Sequence, residues 1–216
     1  MDELTLAQKL SVWALPILFA VTLHEVAHGL AAWWCGDNTA KRLGRLSLNP
    51  LKHVDLVGTI VLPLVMLALG GFVFGWAKPV PVDFGKLKSP KRDMALVALA
   101  GPGANLGMAL GWALVAKFGI WLKWPYVSLP LAYMGAAGIA FNLMLMVLNL
   151  LPLLPLDGGR VLVSVLPNSW AARLAQLEPY GLLILLLLLM SGILGQFLGP
   201  VIFSLQGMFL NLAGLT

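Results

Sequence analysis

Long apolar runs dominate the sequence and alternate with short polar segments. Runs close to the roughly 20 residues that a membrane-spanning helix needs occupy residues 10–34, 54–74, 94–118, 131–151 and 178–194, and a sixth begins after 197. This pattern predicts an all-α polytopic membrane protein with a bundle of about four to six transmembrane helices. Because the runs account for most of the 216 residues, we expect a single intramembrane domain over residues 1–216.

One apolar run carries helix breakers. The run over residues 57–74 contains Pro63 and the pair Gly70-Gly71. Such interruptions are tolerated at membrane depth where the chain turns back inside the protein, so we expect a re-entrant segment here in place of a single crossing.

A second segment departs from the helical pattern. In residues 78–84, two prolines alternate with Val80 and Val82. Proline restricts the preceding residue to extended conformations and has no amide hydrogen for a central strand. We therefore expect a short extended edge strand.

Small residues mark the run over residues 94–118. Gly101, Gly103, Gly107 and Gly111 occur in it. Because small residues spaced four apart let neighbouring helices approach closely in lipid, we expect close packing at these glycines and expect this helix at the centre of the bundle.

Composition and charge support a membrane location. Hydrophobic residues make up 60% of the chain and charged residues 11%, whereas about a quarter of a soluble domain is charged. The net charge of +5 comes from basic residues in short loops, which indicates membrane orientation and no nucleic-acid partner. With the N-terminus outside and residues 57–74 re-entrant, most of the 14 Lys and Arg residues lie on the cytosolic side.

The first apolar run contains three ionisable residues within five positions. His24 and His28 are four apart, so their imidazoles project from one helix face and can share a Zn²⁺ ion. Glu25 lies beside them, where it can act as the general base toward water at the metal. Ionisable groups at membrane depth are costly and usually functional, which favours a metal site over a chance pattern.

A hydrolytic zinc site takes three protein ligands, so this pair needs a third. A single cysteine excludes a cysteine cage. Asp157 follows the apolar run 131–151 and is our choice of third ligand. Most of the other acids and histidines lie in loops beside basic residues: His53, Asp37, Asp55, Asp83, Asp93 and Glu178.

Several motifs resemble those of the site-2 proteases, which are intramembrane zinc metalloproteases. HEVAH in the first run and NLLPLLPLDGG after residue 148 are similar to the two metal-binding signatures of that family. GWAKPVPVDF and AGPGAN are similar to further family segments, so the resemblance covers roughly residues 10–179. Two features differ from many relatives: HExxH lies in the first helix, and we expect no PDZ or CBS domain.

The resemblance implies a chemistry and its residues. It implies an intramembrane endopeptidase with one Zn²⁺ per chain, held by His24, His28 and Asp157, and with Glu25 as the catalytic residue. It also implies that Asn149 contacts the substrate backbone or oxyanion, although a helix-terminal cap explains Asn149 equally well. We expect a multi-pass protein of a prokaryotic cell membrane with its active site nearer the cytosolic face.

The substrates of such an enzyme are transmembrane proteins, whose helices must become extended before cleavage. The segment around Val80 and Val82 is a candidate substrate-binding edge, because an extended peptide can pair with an exposed strand. His53 is a candidate gating residue, and otherwise an interface residue.

One alternative function uses the same helix. A metal-binding transporter or sensor can also place His and Glu in a membrane, but a transporter needs ligands at several depths. The apolar runs offer one cluster of ionisable groups, which favours catalysis.

Overall fold

The computed structural model describes residues 5–68, 75–124 and 126–215. These residues form α-helices and short turns of other helix types, with no strand among them. The helices are α1 Leu6–Trp34, α2 Thr39–Arg42, α3 Leu62–Ala68, α4 Pro90–Leu122, α5 Ser128–Asn149, α6 Asp157–Val165, α7 Asn168–Ala175, α8 Glu178–Met190 and α9 Ile193–Ala213. 3₁₀ turns occupy Pro50–His53 and Phe84–Lys86, and a π-helical turn occupies Leu56–Val61. The all-α class is confirmed.

Within the described residues, four helices are long and apolar enough to cross a bilayer: Leu10–Trp34 of α1, and all of α4, α5 and α9. Helices α7 and α8 form a pair bent by 65° that counts as a fifth span if it crosses as one unit. The predicted range of four to six spans is therefore confirmed, and the protein is a polytopic membrane protein.

Helices α1 and α4 pack against each other in opposite directions. The Asn105 side chain of α4 donates to the Ala20 carbonyl at 3.3 Å, and His28 Nδ1 lies 2.7 Å from the Val97 carbonyl oxygen. As position rises along α1, its partner position falls along α4, so the helices are antiparallel.

Helices α4 and α5 are also antiparallel. Gly135 of α5 lies against Ala116, and Gly138 lies against Trp112, so closely that a Cβ atom at either glycine would come within 3.0 Å of its neighbour. Helices α1 and α5 therefore run in the same direction. A cluster around Ile139 and Leu143 extends this core to α9.

The glycines of α4 behave differently from the sequence-based prediction. A Cβ atom at Gly103, Gly107 or Gly111 would meet nothing within 4 Å, so these three do not mediate close helix packing among the described residues. Only Gly101 of the four lies in a tight contact. Four-residue spacing places residues on one face of a helix, but it does not determine which face is packed.

The segment after Asp55 folds as a hairpin. Residues 56–68 form the π-helical turn and α3, whereas Gly70-Gly71 lies outside the described residues. The Trp76 amide donates to the Gly58 carbonyl at 3.1 Å, and Thr59 Oγ1 donates to the Trp76 carbonyl at 2.9 Å. The two ends of the run thus lie side by side, whereas the ends of a crossing segment are about 30 Å apart. This geometry agrees with the re-entrant prediction.

The predicted edge strand over residues 78–84 is wrong as a strand. Residues 75–83 have no regular secondary structure, and Phe84 begins a 3₁₀ turn. The reason is that much of the backbone here is hydrogen-bonded to side chains instead of to a neighbouring strand. The Asp83 amide donates to Asp37 at 2.7 Å, Arg45 donates to the Lys78 carbonyl, and Glu25 accepts from the Val80 amide.

Asp37 is fully buried just after α1 and fixes the end of this segment. Burial raises the pKa of the Asp37 carboxyl, but hydrogen bonds from the Thr39 side chain and the Asp83 amide outweigh it, and the pKa lies below its usual value. The carboxylate therefore stays charged and ties the segment to the end of α1.

Candidate metal centre

Two helices bring the sequence-predicted ligands together. His24 and His28 lie one turn apart on α1, and Asp157 is the first residue of α6. The two Nε2 atoms are 3.0 Å apart, and each lies 3.3 Å from one oxygen of Asp157. Within the described chain, this is the one group of three or more His, Cys, Asp or Glu side chains whose ligand atoms converge, all within 4.8 Å.

The outer hydrogen bonds of the imidazoles determine which nitrogen carries the proton. His24 Nδ1 lies 2.6 Å from Asn105 Oδ1, and His28 Nδ1 lies 2.7 Å from the Val97 carbonyl oxygen. Both partners are acceptors, since a carbonyl oxygen cannot donate and the Asn105 amide nitrogen donates elsewhere. Each Nδ1 therefore carries the hydrogen in the neutral ring, and each Nε2 presents a lone pair to the other.

This arrangement fits a cation. Two Nε2 lone pairs and a carboxylate repel one another unless positive charge lies among them. Asp157 Oδ2 is buried and has no hydrogen-bond donor among the described residues, which is a costly state for a carboxylate oxygen. Two imidazoles and one carboxylate are a ligand set that catalytic zinc uses, with a position left for water.

The backbone around Asp157 depends on the two glycines that follow it. A Cβ atom at Gly158 would collide with the Leu150 carbonyl, and one at Gly159 would collide with the backbone of Leu154. The start of α6 thus packs directly on the loop that leaves α5, and this packing places Asp157 beside α1. The packing explains why glycines follow the aspartate.

Gly101 of α4 lies directly behind the histidines. A Cβ atom here would be nearest to His28 Nε2 and to Cε1 of both rings, at distances that real Cβ atoms do not show. The absence of a side chain at this position leaves the room that the two imidazoles occupy.

Glu25 lies beside the ligand group and outside it. Its Oε2 atom accepts a hydrogen bond of 2.7 Å from the Val80 amide. The side chain is half-buried, and it is not among the converging ligand atoms. This position separates the predicted base from the predicted ligands.

The remaining predicted site residues have their contacts with groups other than the three proposed ligands. The buried His53 places Nε2 2.8 Å from the Ser47 carbonyl oxygen, and Asn149 Nδ2 donates to the Leu145 carbonyl of its own helix at 3.0 Å. Val82 packs with the apolar cluster around Ala32.

The rival acids are engaged elsewhere. Asp55 accepts from the Gly58 amide, Asp83 pairs with Lys86, Asp93 accepts from the Ser89 amide, and Glu178 pairs with Arg160.

Sequence reasoning predicted Asn105 as an interhelical hydrogen-bonding residue, which the structure confirms, but it missed the contact of Asn105 with His24 and the contacts of Arg45. Asn105 lies in the AGPGAN motif, which was the signal available for it, but only the packing of α4 on α1 places it against His24. Arg45 lies in a basic loop and gave no signal beyond membrane orientation.

No protein-family model matches the chain, and no solved structure matches it significantly. Curated proteins do match. One is a Bacillus subtilis protein named as zinc metalloprotease YwhC, to which the chain is 37% identical over 190 residues. The match covers 86% of this chain and 83% of that protein.

Two mycobacterial proteins named as zinc metalloprotease Rip2 also match. The one from Mycolicibacterium smegmatis is 31% identical over 188 residues, covering 86% of this chain and 69% of the relative. The one from Mycobacterium tuberculosis H37Rv is 34% identical over 200 residues, covering 91% of this chain and 74% of the relative. Together with the zinc-type ligand set, these relatives show that the chain belongs to the site-2 protease family of zinc metalloproteases.

Proposed function

We propose that the chain is an intramembrane zinc-dependent endopeptidase that hydrolyses peptide bonds in or near the transmembrane segments of other membrane proteins. The observation that carries this proposal is that His24 and His28, on a helix apolar enough to span a bilayer, converge with Asp157 of α6, while Glu25 follows His24 on the same helix. The proposal treats residues 1–216 as one domain.

The proposed roles follow from the donor atoms. His24 and His28, through Nε2, and Asp157, through its carboxylate, hold one Zn²⁺ ion. Bound there, zinc supplies the Lewis acidity that makes water a nucleophile near neutral pH. Glu25 accepts the proton of the attacking water and passes it to the leaving amine, so the base returns to its starting state after each cleavage.

Substrate binding is proposed for the segment that crosses Glu25. A transmembrane helix satisfies its own backbone hydrogen bonds, so it must unwind locally before the peptide bond is accessible. Val80 and Val82, within residues 78–84, are proposed as the contacts for the unwound peptide. Asn149 is proposed to bind the peptide backbone, and His53 to gate access.

Orientation is part of the proposal. With the N-terminus outside a prokaryotic cell membrane and residues 57–74 re-entrant, the metal centre lies nearer the cytosolic face. The side-by-side ends of the hairpin at Gly58 and Trp76 support this path.

The test uses the full chain in detergent with a single-span model polypeptide as substrate. Cleavage should require zinc, stop on chelation and return when zinc is restored. The matched control is Glu25→Gln, which keeps the size of the side chain and removes the base. Cleavage that survives this change, or that survives chelation, would contradict the proposal. Zinc flux into proteoliposomes without any cleavage would favour the transporter alternative.

A further inference from the structure

The carboxylate of Glu25 is held through one of its two oxygens. Oε2 accepts the Val80 amide at 2.7 Å, whereas no described residue donates a hydrogen bond to Oε1. A glutamate side chain rotates about three bonds, so a single fixed oxygen restricts it strongly and leaves the other oxygen free to take a proton. The geometry of the base therefore depends on where the Val80 amide is.

The backbone before Val80 is fixed from two sides. The Lys78 amide donates to the His53 carbonyl at 2.8 Å. One guanidinium nitrogen of Arg45, Nη2, donates to the carbonyls of Lys78 at 2.9 Å and Pro79 at 3.2 Å. Lys78 and Val80 each precede a proline, which further limits their backbone conformations.

Arg45 forms no ion pair among the described residues, and both of its hydrogen bonds go to these two carbonyls. Its Nε atom is buried and finds no acceptor in the described part of the chain, a state that costs stability. The Arg45 side chain is half-buried and has no counter-ion among the described residues. It therefore contributes to the site mainly through the two carbonyls that it binds.

We propose that Arg45 is a positioning residue for the catalytic base: it fixes the Lys78 and Pro79 carbonyls, and so holds the Val80 amide where it orients Glu25. This inference rests on the proposed function, because it assumes that Glu25 is the base. It differs from a lid, which must leave Glu25 before the reaction. An orienting amide stays in place and leaves Oε1 free, in the way that the third member of a catalytic triad orients its base.

The activity test compares Arg45→Ala, Arg45→Lys and the control Arg42→Ala, which removes an exposed arginine three positions away. With the single-span model polypeptide, Arg45→Ala should lower kcat about 10- to 100-fold, with KM changed by less than about threefold and zinc content unchanged. Arg45→Lys keeps a donor and should recover part of kcat, and Arg42→Ala should match the wild type.

A second pair of variants tests the amide itself. Val80→Pro removes the N–H group, whereas Val80→Ala keeps it and shortens the side chain. A fall in kcat that both variants share is due to the changed side chain. A further fall in kcat that occurs only in Val80→Pro is due to the missing amide hydrogen.

A readout that needs no cleavage separates this inference from the proposed function. Pro79 and Pro81 have no amide hydrogen, so hydrogen exchange across residues 79–81 reports Val80 alone. Exchange should be slow in the wild type and about tenfold faster or more in Glu25→Ala and in Arg45→Ala, and unchanged in Arg42→Ala. If the wild type cleaves nothing, the proposed function fails while exchange still tests the contact.

Three results for Arg45→Ala would overturn the inference. The first is kcat and Val80 exchange equal to those of the wild type, and the second is a loss of bound zinc in parallel with kcat. The third is a rise in kcat, which would mean that the segment around Val80 acts as a lid over Glu25.

Discussion

Asn105 Oδ1 lies 2.6 Å from His24 Nδ1, in the fully buried centre of the helix bundle. The amide nitrogen of Asn105 donates to Asn142 of α5 at 2.9 Å and to the Ala20 carbonyl of α1. Because both of its donors are used, the oxygen is the only part left for the imidazole. One asparagine thus joins three helices and sets the tautomer of a proposed metal ligand.

Asn105→Leu should weaken zinc binding by about 10- to 100-fold, because His24 loses the acceptor that orients its ring. Competition with a chromogenic chelator measures the affinity. Asn105→Asp keeps an acceptor oxygen and should bind zinc more tightly than Asn105→Leu. Equal affinity in the wild type and Asn105→Leu would show that this hydrogen bond does not orient the ligand.

Glu25→Gln should lower cleavage of the model polypeptide by about 100-fold or more while zinc content stays near one per chain, because the base is lost and the ligands remain. Zinc is measured by atomic absorption on the same sample. Glu178→Gln, the same change at a glutamate that pairs with Arg160, is the control and should keep activity. Loss of zinc in Glu25→Gln would assign that residue to the ligand set.

Asp157→Ala should lose zinc as well as activity, since only two imidazoles would remain. Asp93→Asn is a suitable control. Asp93 is also a buried acid, but it accepts the Ser89 amide at the start of α4, away from the converging ligand atoms. Full zinc occupancy in Asp157→Ala would remove Asp157 from the proposed ligands.

Gly101→Ala tests the space around the imidazoles. The added methyl group would overlap both histidine rings, so zinc affinity and cleavage should both fall. Gly103→Ala makes the same substitution two residues further along α4, where a Cβ atom meets nothing within 4 Å, and should change neither. If the two variants behave alike, the rings have more freedom than their packing indicates.

Cysteine labelling in intact cells tests the orientation. In a Cys35→Ser background, Asn38→Cys and Lys88→Cys should share one inaccessible side, and Trp124→Cys should react from outside. The Lys88 amide donates to the Cys35 carbonyl at 3.0 Å, so positions 38 and 88 both lie near the end of α1. Opposite accessibility of positions 38 and 88 would mean that the intervening run crosses the membrane.

The main helices and the proposed ligand group could be predicted from the sequence because they depend largely on local information. Hydropathy marks a span within one segment, and the predicted runs 10–34 and 131–151 overlap α1 and α5 closely. The spacing of His24 and His28 puts both on one helix face, whatever packs around them. Asp157 needed a chemical step as well: a third ligand had to exist, and few acids were free of basic neighbours.

The features that the sequence left undetermined depend on contacts between segments far apart in the chain. Val80 was expected to pair with substrate, but the structure shows its amide on Glu25. That contact requires the hairpin to return the chain to Glu25 in the second half of α1, and no local pattern encodes the return position. The role of Asn105 likewise follows from the antiparallel packing of α1 and α4.

The proposed ligands come from distant parts of the chain, with consequences for how the protein is made. His24 and His28 emerge from the ribosome with the first helix, whereas Asp157 emerges only after α4 and α5 have been synthesised. A nascent chain that stops before Asp157 has the HExxH helix but an incomplete ligand group. The proposed centre therefore forms only after α5 and Asp157 have been synthesised, and until then a growing chain lacks the third proposed ligand.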